Sequence, residues 1–206
     1  MPMSHRQPRR PAMLDPKRAI AIQGDDDPAQ QVGLAHSTAQ MLIGTTGSEK
    51  ERHLLKTAIV RQGIDIVSEL WSRCPATTLP GMFWRLYLLY QWYVRDPSTV
   101  AQRYQEGLDS PIILGIPKGS AISLKDFFND VDTLLHASWE GDVTTLFAQA
   151  AVICRILASG ATFGSSWIIT DEDELADQVT RRARALLATA DEFEQAARLN
   201  NSNRLD

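Results

Sequence analysis

The chain has 206 residues, of which 44% are hydrophobic and 22% charged, with a formal net charge of -4. That length holds one substantial core, and the balance excludes both a polycation built for nucleic acid and a low-hydrophobicity disordered chain. Two cysteines far apart in sequence, Cys74 and Cys154, form no CxxC pair and no disulfide framework, which fits a reducing compartment and a cytoplasmic setting.

Residues 1–27 read as a disordered, basic, proline-rich tail. Pro2, Pro8, Pro11 and Pro16 interrupt any helix, while Arg6, Arg9, Arg10, Lys17 and Arg18 load the segment with positive charge. Residues 28–199 read as a single helical domain, and 200–206 as a flexible polar tail. Asp27-Pro28 is a helix start, because Asp accepts a free N–H at the N-cap and Pro lacks one at the next position. Gly44 stops that helix. Ser48 and Glu51 form a capping box, and the helix behind them is expected to run unbroken to Arg73. Leu55, Ile59, Ile66 and Leu70 would line one stripe of it, and Val60, Ile64, Val67 and Trp71 the next. Gly63 inside that face suggests the close approach of another backbone.

Pro80–Val94 is the segment around which the rest is expected to be arranged. It holds six aromatics and one charge, Arg85, so as a helix it is apolar over most of its circumference. At about 100° per residue, Phe83, Leu86, Tyr87, Tyr90, Tyr93 and Val94 share a broad face expected in the core. Trp84, Leu88 and Trp92 make a second stripe, flanked by Arg85, Gln91 and Arg95. Two readings of that stripe stand: burial within the same chain, or cover by another subunit, since indoles beside guanidinium groups suit partly wet interfaces.

Asp96-Pro97 repeats the cap pattern and opens a short helix closed by Gly107. Residues 108–122 are broken by Pro111, Gly115, Pro117 and Gly119 yet rich in isoleucine, as in an apolar connection laid across helices. Ser123 caps a helix ending near Gly141, and Asp142 opens another, followed by a small-residue linker from Gly160 to Trp167. No run of about 18 apolar residues suggests a membrane span. Thr170 begins the last and longest helix, with Leu175, Val179, Ala183, Leu186, Ala190, Phe193 and Ala197 as a narrow seam suited to close packing within the chain or across a dimer. The expected fold is therefore an all-α, single-domain bundle of about seven helices with an aromatic-rich central helix.

Chemistry has few footholds. Glu49 and His53, and Asp132 and His136, are pairs one helical turn apart, but neither the Glu-x-x-His nor the His-Glu-x-x-His pattern of known metal helices is present, so no metal or other cofactor is assigned. Lys118, Gly119 and Ser120 lie ahead of a helix, as phosphate loops do, but the order of a Walker loop is absent and Pro117 removes a donor. No nucleophile motif occurs, and no catalytic residue is named. The leading expectation is a non-enzymatic interaction or assembly protein forming a homo-oligomer through Trp84, Leu88, Trp92 and Arg95. An alternative is a nucleic-acid-associated or regulatory protein using the basic tail, Arg9 and Arg10 above all, with Arg181, Arg182 and Arg184. A small-molecule binder or enzyme with a pocket between helices is the second alternative.

Overall fold

The computed structural model describes residues 28–111, 116, 121–163, 183–202 and 204–205. Among these the protein is all-α, with eight helices and no strand. The tail at 1–27, residues 112–115 and 117–120, and the whole segment 164–182 joining the last two helices lie outside the described residues.

Helix α1, Pro28–Leu42, begins at the expected proline. It ends where Gly44 takes a left-handed φ of 72°, letting the Gly44 N–H reach Met41 and the Thr45 N–H reach Gln40. Ser48 then caps α2, Glu49–Gln62, through the reciprocal box with Glu51, the Ser48 N–H donating to the carboxylate at 2.7 Å. The helix does not continue to Arg73. Gly63 adopts φ 86° and its N–H closes on the Ile59 carbonyl, so the chain turns and restarts as α3, Asp65–Ser72. Gly63 thus serves a turn rather than a close backbone approach, since an added Cβ there would meet nothing nearer than 3.9 Å. This break is why eight helices stand where seven were expected. It also narrows the buried face: Ile59, Val67 and Trp71 are buried, whereas Val60 and Ile66 are exposed.

Thr78 caps α4, Leu79–Arg95, accepting the Gly81 N–H at 3.3 Å. Gly81 lies so close to the preceding turn that a Cβ would sit 1.9 Å from the Pro75 carbonyl. Asp96 caps α5, Pro97–Asp109, through the Thr99 N–H. Gly107 does not end α5 but lies within it, pressed against α7, Val143–Phe163. A Cβ on Gly107 would fall 2.0 Å from the Ile156 carbonyl, and one on Gly160 would fall 1.8 Å from the Arg103 carbonyl. Two glycines, one from each helix, therefore let the backbones touch. Gly160 belongs to α7 and not to a linker.

Ser123 caps α6, Leu124–Leu135, accepting the Asp126 N–H. The helix stops well before Gly141 because Ala137 turns left-handed, with φ 54°, and the Ser138 N–H bonds back to Thr133. Between α5 and α6, the Tyr104 hydroxyl donates to the Ile122 carbonyl at 2.5 Å and accepts the Ile122 N–H. Ile116 and Ile122 pack on the core from this connection.

Helix α8, Ala183–Asn201, lies along α7. Leu186, Ala190, Phe193 and Ala197 are buried, so the described part of the expected seam is occupied within the chain. A line of aromatic contacts then crosses four helices. Trp71 of α3 meets Phe83 of α4 at 5.6 Å between ring centres, Phe83 meets Phe147 of α7 at 6.2 Å, and Phe147 meets Phe193 of α8 at 5.9 Å. Each ring removes enough apolar surface to favour the fold by about 1.5–3 kcal/mol. Val143–Thr162 is long and apolar enough to cross a membrane, contrary to expectation, because α7 runs on through Gly160. Two thirds of that stretch is buried inside the fold.

Candidate functional site

Helix α4 packs against α1, α3, α5, α6 and α8, and its aromatic stripe divides as a result. Phe83, Leu86 and Leu89 are wholly buried. Trp92 also belongs to the core, at 6% exposure, with the Arg103 guanidinium of α5 seated 5.5 Å over its ring. It packs inside its own chain and offers no outward face. Val94, expected in the core, is exposed, because it lies in the last turn of α4.

Trp84, two turns before Trp92, is only half-buried and stacks on Tyr87 at 5.4 Å with the planes 23° apart. The two rings and Leu88 line a groove of about 280 Å³ between α3 and α4. Asp65, Ser68, Glu69 and Ser72 form its α3 wall, and Gln91 and Arg95 continue its α4 wall. The Tyr87 hydroxyl donates to Asp65 at 2.5 Å. Burial, followed by that bond to a carboxylate, pushes the Tyr87 phenol up to about 12. It stays a neutral donor at any ordinary pH and ties the two walls together. Three of the four residues expected at an interface, Trp84, Leu88 and Arg95, thus line one groove.

A matching tie joins α4 to α6, where the Tyr90 hydroxyl donates to Asp132. Burial comes first and the Asp132 carboxylate second in pushing that phenol up to about 12. The Asp132–His136 pair is in contact, Oδ1 to Nδ1 at 3.3 Å. Among the described residues no group of three or more His, Cys, Asp or Glu is placed to hold a metal. Burial pushes both the Cys74 and Cys154 thiols up, which suppresses the nucleophilic thiolate.

On the opposite flank of α4, Arg85 grips Glu192 of α8 with two donors, at 2.5 and 3.2 Å, and donates a third bond to the Gly81 carbonyl. Arg155 of α7 does the same to Asp191 and Glu194. Arg85, expected to flank an interface stripe, instead fastens α8 to α4.

Of the candidate nucleic-acid residues, Arg184 is exposed at the start of α8, while Arg9, Arg10, Arg181 and Arg182 lie outside the described residues. So do Lys118, Gly119 and Ser120 of the phosphate-loop candidate. A second cavity, of about 410 Å³, opens where α6 leads into α7, lined by Asp130, Trp139, Glu140, Asp142, Thr145 and Gln149 among others. Asp142 is occupied there in capping α7, accepting the Thr144 and Thr145 N–H groups.

The Tyr–Asp ties were not anticipated from sequence. Their partners are 22 and 42 residues apart, and no local pattern joins a tyrosine to an aspartate over that span. No protein-family model matches this chain, and no curated protein or solved structure is similar to it.

Proposed function

We propose that the protein is a non-enzymatic interaction or assembly protein that forms a homo-oligomer through the groove between α3 and α4. The observation that carries this reading is Trp84. A large indole, half-buried and stacked on Tyr87 above Leu88, is the type of anchor that dominates protein–protein association when a partner removes it from water. Both signs of charge border it, Asp65 and Glu69 on α3 and Arg95 on α4, as a self-complementary face requires. In this reading residues 28–199 form one helical bundle with the aromatic-rich α4 at its centre. Two free, buried cysteines support a reducing, cytoplasmic setting.

The test is molar mass in solution by size-exclusion chromatography with light scattering. The wild type is expected at twice the chain mass and Trp84→Ala at the mass of one folded chain. Circular dichroism should show unchanged helicity, because Trp84 is outside the fully buried set. A wild type that stays at one chain mass at high micromolar concentration overturns the reading.

A further inference from the structure

We infer that the basic, proline-rich segment ahead of α1 docks in the groove between α3 and α4 of its own chain, Pro8 and Pro11 toward the aromatic α4 wall and Arg9 and Arg10 toward the acidic α3 wall. There it competes with a second copy for the same face. The docking stands by itself, whereas the competition rests on the homo-oligomer reading above. Residues 1–27, outside the described residues, join the fold at Pro28. One turn on, Gln31 accepts a hydrogen bond from the Arg73 guanidinium at 2.7 Å, and Arg73 directly follows Ser72 of the α3 wall. The segment therefore enters the fold beside one end of the groove. Pro11 precedes Pro28 by 17 residues, a reach of up to about 55 Å at about 3.3 Å per residue. The α4 wall from Trp84 to Arg95 is only about 16 Å long at about 1.5 Å per residue.

Charge and ring chemistry fit as well. Asp65 is engaged by the Tyr87 hydroxyl at 2.5 Å. Glu69, one helical turn further on, is exposed, and its carboxylate makes no hydrogen bond or ion pair with the described residues, which leaves it open to a guanidinium. Arg6-Gln7-Pro8-Arg9-Arg10-Pro11 holds three arginines and no acid. Its prolines stand three apart, a spacing that places both rings on one side of a polyproline helix, and their φ is already fixed. Segments of that spacing dock in aromatic-lined grooves at small ordering cost, and Trp84 stacked on Tyr87 beside Leu88 supplies the rings. Tethering does the rest: at an effective concentration on the order of 1 mM, a contact with a dissociation constant of about 1 mM fills the groove about half the time. A second copy needs both grooves open, so half occupancy of each weakens pairing about fourfold.

The experiment uses the full chain with Ala12 replaced by photoreactive benzoylphenylalanine, irradiated at submicromolar concentration. Only product of one chain mass is mapped by mass spectrometry, so every crosslink counted lies within one chain. Crosslinks should fall in 65–72 and 84–91. Arg9→Glu/Arg10→Glu should lower their yield about fivefold, because reversal places like charges together. Adding Glu69→Arg to that variant should restore the yield, since the swap brings opposite charges together again. Sedimentation equilibrium without the photoreactive group should show Arg9→Glu/Arg10→Glu self-associating about fourfold more tightly than the wild type. Crosslinks elsewhere in the chain, or a yield indifferent to the charge changes, overturn the docking and leave the homo-oligomer reading standing. Crosslinks in the groove with self-association unchanged overturn the competition, and with it the groove as the pairing surface. A chain monomeric in every variant overturns the homo-oligomer reading and the competition, while the crosslinks still decide the docking.

Discussion

Asp142 accepts the Thr145 hydroxyl and the N–H groups of Thr144 and Thr145. The Thr145 hydroxyl, opposed by burial and helped by the backbone bonds to Thr145 and Thr144, holds its carboxyl below the usual range. A carboxyl depressed by folding contributes stability that is present above its unfolded value of about 3.9 and lost as pH falls through the folded one. Asp142→Asn keeps an oxygen acceptor at the cap but neither charge nor titration. It should cost about 0.5–1 kcal/mol at pH 7, and that gap should close as pH falls through the lowered folded value. Urea midpoints of both proteins across the acid range measure it. This cap was legible in the sequence, as were those of Ser48, Asp96 and Ser123, because a cap joins groups within four residues of one another. The difference between Trp84 and Trp92 was not. They share a stripe of one helix, and what separates them is Arg103, which only the packing of α5 brings over Trp92.

At the level of helices, the crossing of α5 and α7 is the contact least tolerant of change. Gly107 and Gly160 each lie against a carbonyl of the facing helix closer than any Cβ permits. Gly160→Ala improves helix propensity by about 1 kcal/mol, but it must push two backbones apart. The expected net loss is about 3 kcal/mol, the upper part of the overpacking range. Gly33 of α1 provides the control, since an added Cβ there meets nothing within 4 Å. Gly33→Ala should stabilise by about 0.5–1 kcal/mol. Chemical denaturation of the two variants beside the wild type separates the effects, and equal signs would refute the assignment. In sequence, glycines inside and after helices look alike. Gly63 breaks a helix that was expected to continue by turning locally with a positive φ, while Gly107 and Gly160 continue helices expected to end, because each is held by a contact about 50 residues away.

Across the whole molecule, the same limit explains what sequence conveyed and what it did not. The all-α class followed from helical periodicity and punctuation, and Phe83 and Leu86 were rightly placed inside. The groove was legible only in part. Trp84, Leu88 and Arg95 share α4, so their proximity is written in one helix, but the α3 wall depends on the turn at Gly63. The pairing of α7 with α8 has a further consequence for the chain as it is made. Synthesis delivers α7 before α8, so the most apolar helix leaves the ribosome with the surface that Phe193, Leu186 and Ala190 will cover still open to water. A stretch with membrane-like length and hydropathy is then displayed to chaperones and targeting factors until about 40 further residues have emerged, a few seconds at ordinary elongation rates. A chain stopped before Ala183 should make that interval permanent, binding a hydrophobic dye strongly while keeping much of its helicity.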